Sequence, residues 1–322
     1  MVGPLIYTAD PMQANPNSQH HANDEANLLR LATYASVLTA LTLVLAKAWA
    51  WHDTGAVSLL ASLIDSLMDG GASIVNLLAV RYALKPADAN HRFGHGKAEA
   101  LAALLQCMLI LVSCAYLSLE AVQRFSEPRD LASIDSGIAV ILFSLAATTG
   151  LLILQRYVIR KTHSTAIRAD SLHYASDLAA NLATLLALWL AASGMPLADP
   201  VLALAIALWL LLSTRHILRD ALDELLDREL PDEERQVIIS IAREHPDVIG
   251  VHDVRTRRSG RAQIIQLHLE LNPELNLKRA HAIADEVERR LHTQLPNADI
   301  VIHQDPAGVG ERRRWIESHS TE

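Results

Sequence analysis

Six long apolar segments occupy most of the first two thirds of the chain, and they restrict the folds that the chain can adopt. A helix that crosses a bilayer needs about 20 mostly apolar residues. Each segment has that length or can reach it by extending into its flanks; the segments are 31–51, 55–80, 100–119, 136–155, 172–193 and 200–214. They predict an α-helical membrane protein with six transmembrane helices.

The residues from Pro231 onward follow a different pattern. Two stretches have the apolar spacing of amphipathic helices, "DEERQVIISIAREH" and "LKRAHAIADEVERRLHTQL". Three others alternate between apolar and polar residues as strands do: "GVHDVRTRRSG", "AQIIQLHLELN" and "ADIVIHQD". The order αββαβ predicts a small sheet with helices on one face, which is a soluble α+β domain.

These patterns divide the chain into four predicted regions. The first 27 residues are polar and rich in Asn, Gln and Pro, which indicates a disordered tail. A six-helix transmembrane domain follows over 28–220, then the α+β domain over 221–306 and a polar tail over 307–322. The formal net charge of −8 and the absence of a sustained basic stripe argue against nucleic acid as a partner.

The distribution of Lys and Arg between the segments predicts the orientation. Basic residues in short loops mark the cytosolic side of a membrane. They lie in the loop after the second segment and in the loop after the fourth: Arg81, Lys85, Arg92, Lys97, Arg156, Arg160, Lys161 and Arg168. We therefore predict a multi-pass protein of the inner (plasma) membrane with both termini in the cytosol.

Two pairs of ionisable residues interrupt the apolar segments. Asp65 and Asp69 lie four apart in the second segment, and His173 and Asp177 lie four apart in the fifth. This spacing puts both members of a pair on one helix face. Inserting a carboxylate at membrane depth costs about 2.5–3.5 kcal/mol of free energy. We therefore expect both pairs to have a function that offsets this cost. Lys47 lies near the end of the first segment and is expected to extend to the interface, away from them.

The donor types indicate a divalent metal. Three carboxylates and one imidazole form a complete set for a four-coordinate ion. Zinc fits best, and cadmium, ferrous iron and cobalt are plausible, whereas copper(I) would require sulfur ligands. Two alternatives stay open at this point, namely buried polar groups with a purely structural role and a proton relay without metal.

The complete pattern resembles the cation diffusion facilitator family, and in particular its bacterial zinc and ferrous-iron efflux pumps. The likeness rests on D-x-x-x-D, H-x-x-x-D and the loop "PADANHRFGHGKAEALAAL", and it extends from about residue 28 to residue 306. It implies a transport site at Asp65, Asp69, His173 and Asp177. It also implies homodimers with metallochaperone-like C-terminal domains, and exchange of metal for protons.

The resemblance implies two further metal sites. One lies in the cytosolic loop and the other in the C-terminal domain; their residues are Asp88, His91, His95, His252, His268, His281, His303 and Asp305. The D-x-x-H-x-x-x-H spacing in the loop independently suits a metal. In the C-terminal domain, His268 alternates with two leucines and so faces away from their core. The other histidines there are brought together by the resemblance alone.

We therefore predict a secondary transporter that exports zinc-like cations from the cytosol in exchange for protons. The expected partners are a second copy of the chain, membrane lipid, divalent metal ions and protons, with zinc both transported and regulatory and no organic cofactor. One alternative is a membrane-embedded metal sensor that does not transport. An intramembrane metallohydrolase would need an open coordination position and typically a HExxH motif, which the sequence lacks, so we do not expect an enzyme.

Overall fold

The computed structural model describes residues 16–54, 57–126, 138–192 and 198–308. These ranges contain eight helices and one three-stranded sheet. The chain divides into two compact units, with the change at Leu226 and Asp227; residues 259–261 group with the first unit. Each unit is described separately below.

Six long helices form the first unit. They are α1 (Pro16–Thr54), α2 (Val57–Ala83), α3 (Ala98–Ser126), α4 (Ile138–Thr162), α5 (Thr165–Ala192) and α6 (Ala198–Leu225). Among the described residues, all of these except α5 contain a stretch long and apolar enough to cross a membrane. The first half of α5 is more polar than its second half and carries four ionisable residues: Arg168, Asp170, His173 and Asp177. The predicted six-helix membrane fold is confirmed.

The bundle is apolar outside and small or polar inside. Large apolar side chains such as Leu38, Met68 and Ile153 are mostly exposed on the helix surfaces. The buried positions include many alanines and several hydroxyl and amide side chains, for example Ser73 and Asn76. Small and polar residues at helix contacts are typical of bundles whose outer surface faces lipid rather than water.

Two predicted boundaries differ from the structure. Residues 16–27 belong to α1 and not to a disordered tail, because a proline at the first helical position is compatible with a helix and no helix breaker follows it. At the other end of the unit, α6 continues past residue 220 to Leu225, since Ile217 and Ala221 are buried beside α3. The predicted tails over 1–15 and 309–322 lie outside the described residues.

The second unit has the predicted αββαβ order. Its elements are α7 (Asp232–Arg243), β1 (Gly250–Ser259), β2 (Ala262–Leu271), α8 (Leu277–Gln294) and β3 (Ala298–Pro306). The strand order is β1-β2-β3, and β2 pairs with β3 in parallel, as the helical crossover through α8 allows. The α+β fold class is confirmed.

Alternation along β2 determines which side chains are available for binding. Ile265, Leu267, Leu269 and Leu271 are buried in a core that includes residues of α7 and α8. Successive side chains of a strand point to opposite faces. His268 therefore lies on the face that the two helices leave uncovered.

Candidate metal centres

Two helices of the membrane unit bring together three of the four predicted transport ligands. His173 Nε2 on α5 lies 2.9 Å from Asp69 Oδ1 on α2 and 3.8 Å from Asp177 Oδ2 one turn further along α5. One potential ligand atom from each residue lies within 4.8 Å of the others. An ion placed among them would meet two carboxylates and one imidazole, without any change in the fold.

Asp65 lies outside this group. It is exposed, one turn before Asp69 on α2. The i, i+4 spacing places the two carboxylates on one face of α2, but the orientation of the helix brings only Asp69 against His173. The structure therefore contains three of the predicted ligands in contact range and the fourth as a neighbour.

Lys47 does not extend to the interface as predicted. Its Nζ donates hydrogen bonds to Ser66 Oγ at 2.7 Å and to the backbone carbonyl of Ser62 at 3.2 Å, both on α2. The expectation that Lys47 extends away from the aspartates was therefore wrong. The reason is that α1 continues to Thr54, so Lys47 lies about two turns inside the helix and not at its end.

A buried polar network fixes α5 next to His173. The Asp170 carboxylate accepts hydrogen bonds from Ser36 Oγ and Gln155 Nε2, both at 2.7 Å. The Tyr174 hydroxyl donates to the Ser36 carbonyl at 3.2 Å and lies 2.8 Å from Ser73 Oγ. These bonds connect α5 with α1, α2 and α4, and so they position the imidazole of His173. The sequence analysis did not predict this network. The one sequence feature that could have indicated it is Asp170, an acidic residue one turn before His173.

The predicted loop site is assembled between α2 and α3. Asp88 Oδ1 lies 3.3 Å from His91 Nδ1, and Asp88 Oδ2 lies 3.3 Å from His95 Nε2. The backbone N–H groups of His91 and Asn90 donate to Asp88 Oδ1 at 2.7 and 2.9 Å. The first of these bonds, assisted by the second, lowers the pKa of Asp88 below its ordinary value. One carboxylate and two imidazoles converge here, with ligand atoms within 4.8 Å of one another.

We expect the Asp88 carboxylate to remain available as a metal ligand in mildly acidic solution. Because the pKa of Asp88 is lowered in the folded protein, the stability that its ionisation contributes is present above its ordinary pKa and is lost only as pH falls through the lowered value. A carboxylate must be deprotonated to bind metal. Asp88→Asn should therefore weaken zinc binding by the loop at every pH from 8 down to about 5, as zinc titrations with the other sites disabled would show. Equal zinc binding by Asp88→Asn and the unchanged loop over this range would contradict this expectation.

The cytosolic unit holds a third cluster on the open face of its sheet. The Asp305 carboxylate of β3 lies 2.7 Å from His268 Nδ1 on β2, 3.4 Å from His252 Nε2 on β1 and 3.0 Å from His303 Nε2. Glu270 Oε1 lies 3.2 Å from His252 Nδ1. Ligand atoms of His252, His268 and Asp305 lie within 4.8 Å of one another, with His303 adjacent.

His281 is separate from this cluster. It lies on α8, is 68% exposed at its side chain, and pairs with Asp285 at 3.4 Å. Of the five residues predicted for the cytosolic site, the structure of one chain therefore brings four together and leaves His281 apart.

Comparison with known proteins agrees with both units. Residues 33–226 match the cation efflux transmembrane domain, and residues 230–307 match the cytoplasmic domain of cation efflux proteins. The cation-efflux pump FieF of Pectobacterium atrosepticum is 50% identical over 290 residues, which are 90% of this chain and 97% of that protein. FieF of Serratia proteamaculans is 48% identical over 293 residues, 90% of this chain and 98% of that protein.

A likeness among solved structures covers a smaller share of the chain. The metal-bound C-terminal domain of the CzcD transporter from Thermotoga maritima is 24% identical, covers 26% of this chain and 100% of that chain, and has a TM-score of 0.24. The family assignment rests on the two domain matches and on the pumps that align along nearly their whole length. This chain belongs to the cation efflux family, the cation diffusion facilitators that its motifs predicted.

Proposed function

We propose that the protein exports divalent metal cations from the cytosol, zinc first among them, in exchange for protons. Membership of the cation efflux family supports the transport of cations. The observation that carries the proposal is the convergence of Asp69, His173 and Asp177 on one point between two membrane helices. A metal sensor would not need such a group at membrane depth, where each ionisable residue raises the free energy of insertion.

The ligand chemistry supports zinc-like cargo. Two carboxylates and one imidazole suit a borderline divalent cation, with cadmium, ferrous iron and cobalt as further substrates. We propose that Asp65 becomes the fourth ligand when metal binds, since it lies one turn from Asp69 on the same face of α2. A closed tetrahedral site then holds the ion while it crosses the membrane.

Proton exchange follows from competition for the same atoms. Metal binding requires deprotonated carboxylates and a neutral imidazole, so protons and metal exclude each other. The short contact between His173 Nε2 and Asp69 Oδ1 is a place where a proton is shared once the metal has left. The cycle is loading from the cytosol, reorientation of the site, and release on the far side as protons bind.

Flux through the purified protein in liposomes tests this function. With the vesicle lumen acidic, zinc should enter from the outside while protons leave, which dyes for zinc and for pH can follow together. Zinc movement without proton counterflow would overturn the exchange mechanism. Failure to move any of the four metals would overturn transport itself.

We further propose that the cytosolic cluster regulates the transporter in a homodimer. Metal bound at Asp305 and its three histidines would bias the protein toward a transport-ready state by binding that state more tightly. The exposed position of His281 leaves it accessible to a second copy of the domain. The basic loops support an inner-membrane orientation with both termini in the cytosol, surrounded by lipid.

We expect Asp305→Ala to affect this cluster more than any single histidine change. The carboxylate lies against all three imidazoles, so its loss removes one ligand and the group that orients the others. Zinc affinity of the cytosolic cluster should fall at least about tenfold. Calorimetric zinc titration measures this, with His292→Ala as the matched control because that histidine pairs with Glu288 on α8. Equal affinity in Asp305→Ala and the control would contradict the assignment.

A further inference from the structure

A partly buried lysine lies in the membrane bundle against α2, the helix that carries Asp69. The ammonium group of Lys47 on α1 is held by Ser66 Oγ and by the carbonyl of Ser62 on α2. Burying a lysine at membrane depth is expensive unless the charge has a partner. Neither the apolar packing of α1 nor the ligand set explains why a lysine occupies this position.

The location of the two serines places the amine close to the metal ligands. Positions 62, 66 and 69 of α2 lie on one stripe, because residues three and four apart on a helix are neighbours. The amine is bound at the first two positions, and Asp69, the residue in contact with His173, is the third. The contact with Ser66 therefore holds the amine one turn from Asp69 along α2.

We propose that Lys47 is a tethered cation that competes with the transported metal for the carboxylates of the site. This inference rests on the proposed transport function and adds a determinant of affinity to it. With the site empty, the ammonium group balances part of the negative charge of the aspartates. With metal bound, it repels the ion and so weakens binding enough for release.

The physical reason is that carboxylates alone would bind the metal too tightly for turnover. Charges a few ångströms apart interact strongly in a partly buried site. A protonated lysine has no lone pair and cannot be a ligand, but its flexible stem keeps a positive charge beside the metal position. The two α2 contacts hold the amine there instead of letting it extend to the interface.

The rival explanation is that Lys47 only joins α1 to α2 through its hydrogen bonds. Three variants separate charge from attachment. Lys47→Met keeps the apolar stem and removes the charge, Lys47→Arg keeps the charge, and Ser66→Ala removes one attachment and keeps the charge. Lys47→Gln is a second neutral variant that retains a hydrogen-bond donor, for use if Lys47→Met does not give folded protein by size exclusion.

The experiment measures zinc affinity and transport on the full-length protein with the loop and cytosolic sites disabled by Asp88→Ala and Asp305→Ala. The neutral variants should bind zinc roughly tenfold or more tightly, with KM and kcat both lowered because release is slow. Lys47→Arg should stay within about threefold of the unchanged protein. Ser66→Ala should do the same, because Lys47 keeps its charge and its hydrogen bond to the carbonyl of Ser62. Neutral variants with unchanged affinity would overturn the proposal, and so would Lys47→Arg or Ser66→Ala behaving like Lys47→Met.

Failure of this proposal can be told from failure of the proposed function. The affinity comparison needs binding only, so it decides the role of Lys47 even if no zinc flux is observed. Absence of flux in the unchanged protein, with an affinity shift still present in Lys47→Met, would count against transport and leave the charge effect intact.

Discussion

Zinc flux is expected to fall to the level of protein-free liposomes when Asp177 is replaced by alanine. Asp177 supplies one of the two carboxylates within reach of His173 Nε2, from the same face of α5. Its loss leaves one carboxylate and one imidazole in contact range, too few for a divalent ion that must shed its water. Zinc uptake into proteoliposomes with an acidic lumen measures the effect.

Two further variants make this result specific. Asp177→Asn keeps the size of the side chain and removes its charge, and it should be nearly as inactive as Asp177→Ala. Asp220→Asn is the matched control, because that aspartate lies on α6 and pairs with Arg168 at 2.6 Å, outside the site. Flux through Asp177→Ala equal to that through Asp220→Asn would remove the basis of the transport site.

Replacement of His173 by aspartate should change which metal is carried. The substitution turns a mixed nitrogen and oxygen set into one of oxygen atoms only, which suits manganese and magnesium better than zinc. The preference for zinc over manganese should fall at least about tenfold. Competition between the two metals for uptake measures the preference, and His173→Ala should lower or uncouple flux without favouring manganese.

An exposed histidine on another membrane helix provides the control. His216 Nδ1 on α6 donates a hydrogen bond to the carbonyl of Leu212 on the same helix, at 3.1 Å. His216→Asp should leave metal preference unchanged. If His173→Asp retains the zinc preference of that control, the imidazole does not determine selectivity and the ligand argument fails.

The sequence predicted the membrane site because helical spacing is regular. The i, i+4 pairs on α2 and α5 had to present both members on one side of each helix. Spacing within one helix does not determine how far that helix is rotated against its neighbour. Asp69 and Asp65 could therefore not be ranked, and the structure places only Asp69 beside His173.

The position of the Lys47 amine could not be predicted from hydropathy. Hydropathy placed it at the end of an apolar segment, where long basic side chains reach the interface. The helix instead extends to Thr54, and two serines of α2 bind the amine. Serine is common at contacts between membrane helices, so nothing in its pattern indicated that two of them would hold a lysine.

The C-terminal fold was predictable because alternating strands and amphipathic helices have distinct periods. The strand and helix patterns did not by themselves predict the cluster of side chains on the open face of the sheet. His268 could be assigned to that face from β2 alone, but its neighbours on β1 and β3 depend on strand register. Register is determined by the whole core, including the side chains that α7 and α8 contribute.

On the proposed function, that register prepares the cytosolic cluster to respond to the concentration of metal in the cytosol. His268 lies opposite His303, and Glu270 opposite Asp305, in the parallel pairing of β2 with β3. The donors are thus preorganised by backbone hydrogen bonds, and little conformational entropy is lost when an ion binds. A ligand that binds only the folded state stabilises it by about 2.7 kcal/mol at a hundred times its Kd. The melting temperature of the domain should therefore rise with the logarithm of free metal.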